Sequence, residues 1–273
     1  MEASGVNQEN GLQLMGRFEQ RPSLRGLNNH LFPSGLLPRE VVEITGESAL
    51  GKTYMLMDLI ARCVLPSTVM CGECEKPSGG LEAGVFLLDQ DHHFDLLKLV
   101  RIMEVRVKMF LKDIDDSTVD KVISASLKRL VTLHLYSDDE LTPSLLSVQN
   151  YIFSNSNVSL VAMDSIGAHY WQSVAANGKR KIDTYVEDIL KQVHQILGAF
   201  QVSFVYTRPA AFASKFSGLP PDLSNVWDLR NVNTKVKLKL LKGNTKIAEV
   251  HSKMNIHSVS YEICDNGIEW SST

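Results

Sequence analysis

Residues 46–53 read Gly-Glu-Ser-Ala-Leu-Gly-Lys-Thr, and their surroundings leave few folds open. Before them, Val41-Val42-Glu43-Ile44-Thr45 is a short apolar, β-branched run that reads as a strand. After them, Leu56, Leu59, Ile60 and Cys63 follow helical spacing as far as Pro66. The segment is therefore a full GxxxxGK[ST] phosphate-binding loop in the strand–turn–helix setting that such a loop requires. The glycines let the backbone curl so that successive N–H groups point inward, and the helix N-terminus adds positive partial charge. Lys52 then reaches the β- and γ-phosphates, and the Thr53 hydroxyl coordinates Mg2+. Gly46, Glu47, Ser48, Ala49, Leu50, Gly51, Lys52 and Thr53 are expected to hold ATP with Mg2+.

Such a site needs an acid on the metal side. Leu160-Val-Ala-Met-Asp164, an apolar strand ending in aspartate about 110 residues beyond the loop, supplies it. Asp164 is expected to hold Mg2+ through its water shell. Hydrolysis also needs a carboxylate that orients water. In Leu88-Asp89-Gln90-Asp91-His92-His93-Phe94 an apolar strand ends in acids, and ligands of open α/β sheets sit beyond such carboxyl ends. This position aims Asp89 or Asp91 at the γ-phosphate. His92 and His93 are disfavoured as metal ligands, because neighbouring side chains on a strand point to opposite faces.

Strands and helices continue to alternate along the chain. Val85–Asp89, Val131–Tyr136, Ser159–Met163 and Val202–Tyr206 read as strands, with helices near 96–107, 120–129, 144–153 and 183–200 between them. The pattern implies an α/β fold, a mostly parallel sheet flanked by helices on both faces. From Lys235 the pattern changes to short strands at 235–241, 246–250 and 259–263, an antiparallel C-terminal extension. Lys235, Lys237 and Lys239 alternate with apolar residues there and read as the solvent face of an edge strand. Residues 1–35 are expected to be a loosely ordered lead-in with one short helix near 12–21; 36–273 form the ATP-binding core. Ser67–Gly80, with Pro77, Gly79 and Gly80, reads as loop.

Twenty-eight basic against 31 acidic residues give a net charge of −3, so nothing global draws the chain to nucleic acid or anionic lipid. No apolar run approaches the roughly 18–20 residues of a membrane span, and no membrane partner is expected. Four cysteines are too few for a disulfide framework. Cys71-Gly-Glu-Cys74 has the spacing of half a zinc site, but no second such pair follows it.

The order of nucleotide loop, strand ending Leu-Asp-x-Asp-x-x-Phe, strand ending Met-Asp-Ser, then a strand and a long loop resembles the RecA-type recombinases. Ala61-Arg-Cys-Val-Leu-Pro66, Gly79-Gly-Leu-Glu82, His93-Phe-Asp-Leu-Leu-Lys-Leu-Val100, Tyr170-Trp171 and Gly267-Ile-Glu-Trp270 are similar to the eukaryotic recombinase paralogues. The resemblance implies a RecA-like P-loop ATPase core and an accessory role in homologous-recombination repair in the nucleus, at double-strand breaks and stalled forks. It implies a hetero-oligomeric complex with other recombinase paralogues, assisting filament assembly, and contact with single-stranded or branched DNA through that complex. The stretch before Gly46 leaves no room for the helical DNA-binding domain and polymerisation linker of full-length recombinases. Recombinases place a catalytic glutamate where this chain has Asp91, one methylene shorter, so Asp91 becomes the water-orienting candidate with weak or absent hydrolysis. Where they carry a γ-phosphate-sensing glutamine, this chain has Tyr206-Thr207-Arg208-Pro209. Arg208 either takes over a phosphate contact or lies in solvent. The DNA-gripping loop would be Ala210–Arg230, with Trp227 as a packing or base-stacking residue. An autonomous single-stranded-DNA-dependent ATPase and a nucleotide-independent scaffold remain as alternatives.

Overall fold

The computed structural model describes residues 20–71, 74–111, 114–178, 180–209, 232–241, 243–252, 255–264 and 267–271. The strand before the phosphate loop is β1 (Val41–Gly46), and the helix that follows is α1 (Lys52–Val64). A small hairpin comes next, β2 (Thr68–Cys71) and β3 (Cys74–Pro77), before β4 (Gly84–Asp89). Helices α2 (Leu96–Phe110) and α3 (Asp116–Leu127) lead to β5 (Leu130–His134), and α4 (Leu141–Ser154) leads to β6 (Val158–Asp164). Then come α5 (Tyr170–Asn177), α6 (Ile182–Leu197) and β7 (Ser203–Pro209). The chain closes with β8 (Thr234–Leu240), β9 (Lys246–Ser252), β10 (Ile256–Cys264) and β11 (Gly267–Ser271).

Nine of these strands form one sheet in the order β11-β10-β9-β8-β1-β7-β6-β4-β5. The pairs from β8 through β5 are parallel, and β8 to β11 pair antiparallel with one another. This is the α/β architecture that the sequence implies. Every residue of β4 and β6 is buried, as parallel strands covered on both faces require. One core lies under α1, α2 and α3; the other lies under α4 and α6. Helix α6 shows why: Tyr185, Val186, Ile189, Leu190, Val193 and Leu197 form one buried stripe at i, i+3, i+4 spacing.

Three details differ from the sequence reading. Ser67–Gly80 is not all loop, because 68–71 and 74–77 pair across a two-residue connection; Pro77 is tolerated at the hairpin's end, where it closes the pairing. The lysine strand β8 is not an edge. It pairs with β1 on one side and β9 on the other, so its lysines meet the carboxylates of neighbouring strands. Residues 20–35, the described part of the lead-in, are packed against the first core through Leu24, Leu27, Leu31 and Phe32, each buried side chain stabilising by roughly 1.5–3 kcal/mol. Residues 12–19 of the helix expected near 12–21, and the 210–230 loop with Trp227, lie outside the described residues.

Candidate nucleotide site

The phosphate loop takes its shape from two left-handed residues. Ala49 has φ 64° and Gly51, which caps the N-terminus of α1, has φ 84°. A Cβ at 51 would also stand 2.5 Å from Cδ1 of Ile263 on β10, which would have to shift. A Cβ on Gly46 would likewise press on Leu238 of β8 at 2.8 Å. The Tyr261 hydroxyl on β10 donates to the Leu50 carbonyl at 2.7 Å. The terminal strands thus back the loop, a support that no local pattern in residues 41–64 announces.

Lys52 folds back over the loop, its Nζ donating to the Glu47 carbonyl at 2.9 Å. Burial draws the ammonium below its ordinary value, while Asp164 and Asp91 pull it back up. Both acids named in the sequence therefore face the loop lysine. Asp89 and Asp164 are register partners at the ends of β4 and β6. The backbone N–H groups of Gln90 and Asp91 donate to the Asp164 carbonyl at 2.7 and 3.1 Å, which fastens the turn carrying Asp91 to the end of β6. Asp91 itself is exposed, as a group meeting incoming water must be.

Asp164 is 2% exposed. Burial pushes its carboxyl above the usual range; the Thr207 hydroxyl, which donates to Oδ1, and the nearby Thr53 hydroxyl draw it back. Among the described residues, its Oδ2 is buried without a hydrogen-bond partner, and so are Ser165 Oγ and both amide atoms of Gln90. Buried polar atoms seldom stay unpaired. A hydrated divalent cation between Thr53 and Asp164 would give Oδ2 a partner, so the residues present fit Mg2+. Gln90 and Thr207 were not anticipated as site residues; their only sequence signal is that Gln90 directly follows one buried strand and Thr207 lies near the end of another.

Arg208 is buried rather than solvated. Its side chain is 4% exposed, with one guanidinium nitrogen 2.5 Å from Oδ1 of Asp183 at the start of α6 and another 3.7 Å from Glu43 on β1. Glu43 is itself buried and takes a hydrogen bond from the Tyr206 hydroxyl at 2.8 Å and an ion pair from Lys235 at 2.7 Å. Where the resemblance implies a γ-phosphate-sensing glutamine, this chain has an ion-paired arginine. Lys239 pairs with Glu249 in the same manner.

No family model matches the chain. The chain is 31% identical over 173 residues to the DNA repair protein XRCC2 of Mus musculus, covering 63% of this chain and 56% of that protein. It is 25% identical over 211 residues to the DNA repair protein XRCC2 homolog of Arabidopsis thaliana, covering 64% and 56% respectively. With the human DNA repair protein RAD51 homolog 2 it shares 27% identity over 194 residues, 70% of this chain and 42% of that one. The chain spans about half the length of the curated relatives it matches.

Proposed function

We propose that the chain, similar to XRCC2 and RAD51 homolog 2, is an XRCC2-like recombinase paralogue, an ATP-binding accessory subunit of homologous-recombination repair built on a RecA-like core. Its task is to assist recombinase filament assembly at double-strand breaks and stalled forks in the nucleus. It does so in a hetero-oligomeric complex with other recombinase paralogues, meeting single-stranded or branched DNA through that complex.

The observation that carries the nucleotide part is the partnerless Oδ2 of Asp164, buried beside the Thr53 hydroxyl at the mouth of the loop helix. Residues 46–53 cradle the phosphates with inward N–H groups. Lys52 leaves the Glu47 carbonyl for the β- and γ-phosphates. Thr53 and Asp164 hold Mg2+, the latter through water, and the bound ion would neutralise phosphate charge. Asp91 orients water toward the γ-phosphate but reaches one methylene less far than a glutamate. A displacement of about 1 Å costs on the order of 10²-fold in rate, so turnover is slow. Arg208, tied to Asp183 and Glu43, holds β7 to α6 rather than reporting the γ-phosphate. Nucleotide then acts mainly to set a subunit interface.

The test is ATP binding and phosphate release by the purified chain, with and without single-stranded DNA, beside Lys52→Ala. Lys52-dependent binding with negligible release supports the accessory reading. Brisk DNA-stimulated release overturns it in favour of an autonomous ATPase, and Lys52-independent behaviour in partner binding and repair points to a scaffold.

A further inference from the structure

One cluster lies next to the nucleotide site, around Asp89. Asp89, at the end of β4, and His134, at the end of β5, are register partners across adjacent parallel strands. His92, three residues past Asp89, turns back toward them. Its φ of 54° places it in the left-handed region, and its backbone N–H donates to Asp89 Oδ1 at 2.9 Å. The other carboxylate oxygen, Oδ2, lies 3.3 Å from His134 Nδ1. Taking one donor atom from each residue, all three lie within 4.8 Å of one another. The His92 ring is stacked on Tyr136 (centroids 4.5 Å apart) and faces the His134 ring at 5.6 Å, so the two imidazoles share one side of the sheet end. The strand-alternation argument against His92 fails because His92 lies beyond the strand, and its companion is not His93.

We infer that Asp89, His92 and His134 form a second metal site that takes a zinc-class divalent ion in addition to the Mg2+ of the nucleotide. The donor set decides the class. Two imidazoles and one carboxylate suit Zn2+ and its neighbours, whereas Mg2+ and Ca2+ prefer oxygen throughout. Three protein ligands leave a fourth, open position, as at accessible zinc centres. Ligands of a tetrahedral zinc ion stand about 3.3 Å apart, given Zn–N and Zn–O distances near 2.1 Å. The Asp89–His134 pair already has that spacing, and His92 and His134 are exposed side chains free to close the remainder by rotation. The buried Asp89 is the fixed member, 1% exposed, with the Leu135 N–H donating to its own carbonyl at 3.0 Å. The competing account is a bare Asp89–His134 ion pair with His92 stacked above it.

Calorimetric titration of the full-length, reduced chain with Zn2+ in excess Mg2+ separates the two, with Co2+ as a spectroscopic probe. One equivalent of Zn2+ is expected, with a four-coordinate Co2+ spectrum that lacks a thiolate band. His134→Ala and His92→Asn should each weaken binding at least tenfold. Asparagine tolerates the left-handed backbone at 92, both positions are exposed, and circular dichroism verifies the fold. The Cys71→Ser/Cys74→Ser double variant should bind as the parent does. Zinc affinity unchanged in both histidine variants overturns the proposal; so does loss of binding in the cysteine variant, or Mg2+ competing on equal terms.

Discussion

Asp58 lies in the middle of α1, the helix that opens with Lys52 and Thr53, and it is fully buried. It takes Arg62 Nε one turn on at 3.2 Å and the Arg106 guanidinium from α2. The two guanidinium side chains are 20% and 14% exposed. Burial pulls Arg62 below its ordinary value, Asp58 restores it, and Arg106 opposes it again. Asp58→Ala therefore leaves two like charges facing each other across the α1–α2 seam. Removing one partner of a buried ion pair costs about 3–5 kcal/mol. Both arginines retain some access to water, which places the expected loss near the lower end, about 3 kcal/mol. At about 2–4 °C per kcal/mol for a chain of this size, the thermal midpoint falls by roughly 6–12 °C. Urea unfolding should show a lower midpoint at unchanged m, and Asp58→Asn, which keeps an acceptor, should lose less. A loss below about 1 kcal/mol is what an exposed pair gives; it would refute the reasoning that this carboxylate is desolvated and holds the seam.

Asp91→Glu restores the missing methylene and is expected to raise single-turnover phosphate release, by up to about 10²-fold; no rise would mean that reach at position 91 does not limit hydrolysis. Tyr261→Phe removes the donor to the Leu50 carbonyl and should cost about 1–2 kcal/mol, with a smaller nucleotide-induced rise in thermal midpoint. Asp164 ionises at a higher pH in the fold than in the unfolded chain, because burial penalises its charge. Between those two values the fold holds a proton that the unfolded chain has lost, so stability falls as pH rises through that window and stays reduced above it. Asp164→Asn should therefore flatten this part of the pH profile and raise the midpoint at neutral pH, while weakening Mg2+-dependent nucleotide binding; a lowered midpoint would contradict the sign.

The loop at 46–53 and the acids at 91 and 164 could be named as candidates because their signals are local. A glycine-bounded turn between strand and helix, or an aspartate ending an apolar run, announces itself within about ten residues. What escaped depends on which strands become neighbours. Lys235 looked like a surface lysine until β8 paired with β1 and set it 2.7 Å from Glu43. Arg208 was misjudged for the same reason, since its partners Asp183 and Glu43 arrive from a helix and from a strand far back in the chain. Strand β11, only five residues with Glu269 and Trp270 within it, has no alternation strong enough to signal a strand. The 68–77 hairpin was masked by Pro77, Gly79 and Gly80, although two short runs joined by a Gly-containing pair form a hairpin signal. His134 needed the register of β5 against β4 before it had any companions.

The bond from Tyr261 to the Leu50 carbonyl spans 211 positions of sequence. During synthesis the phosphate loop leaves the ribosome well before the strand that braces it. At about 5–20 residues per second, that interval is on the order of 10–40 s. Until it closes, the nascent chain carries a complete nucleotide motif on an unbraced loop. On the proposed reading, capacity to hold ATP is therefore expected to appear late and abruptly, as β10 docks. Ribosome-bound chains halted before residue 256 should lack it although every residue from 46 to 53 is already present.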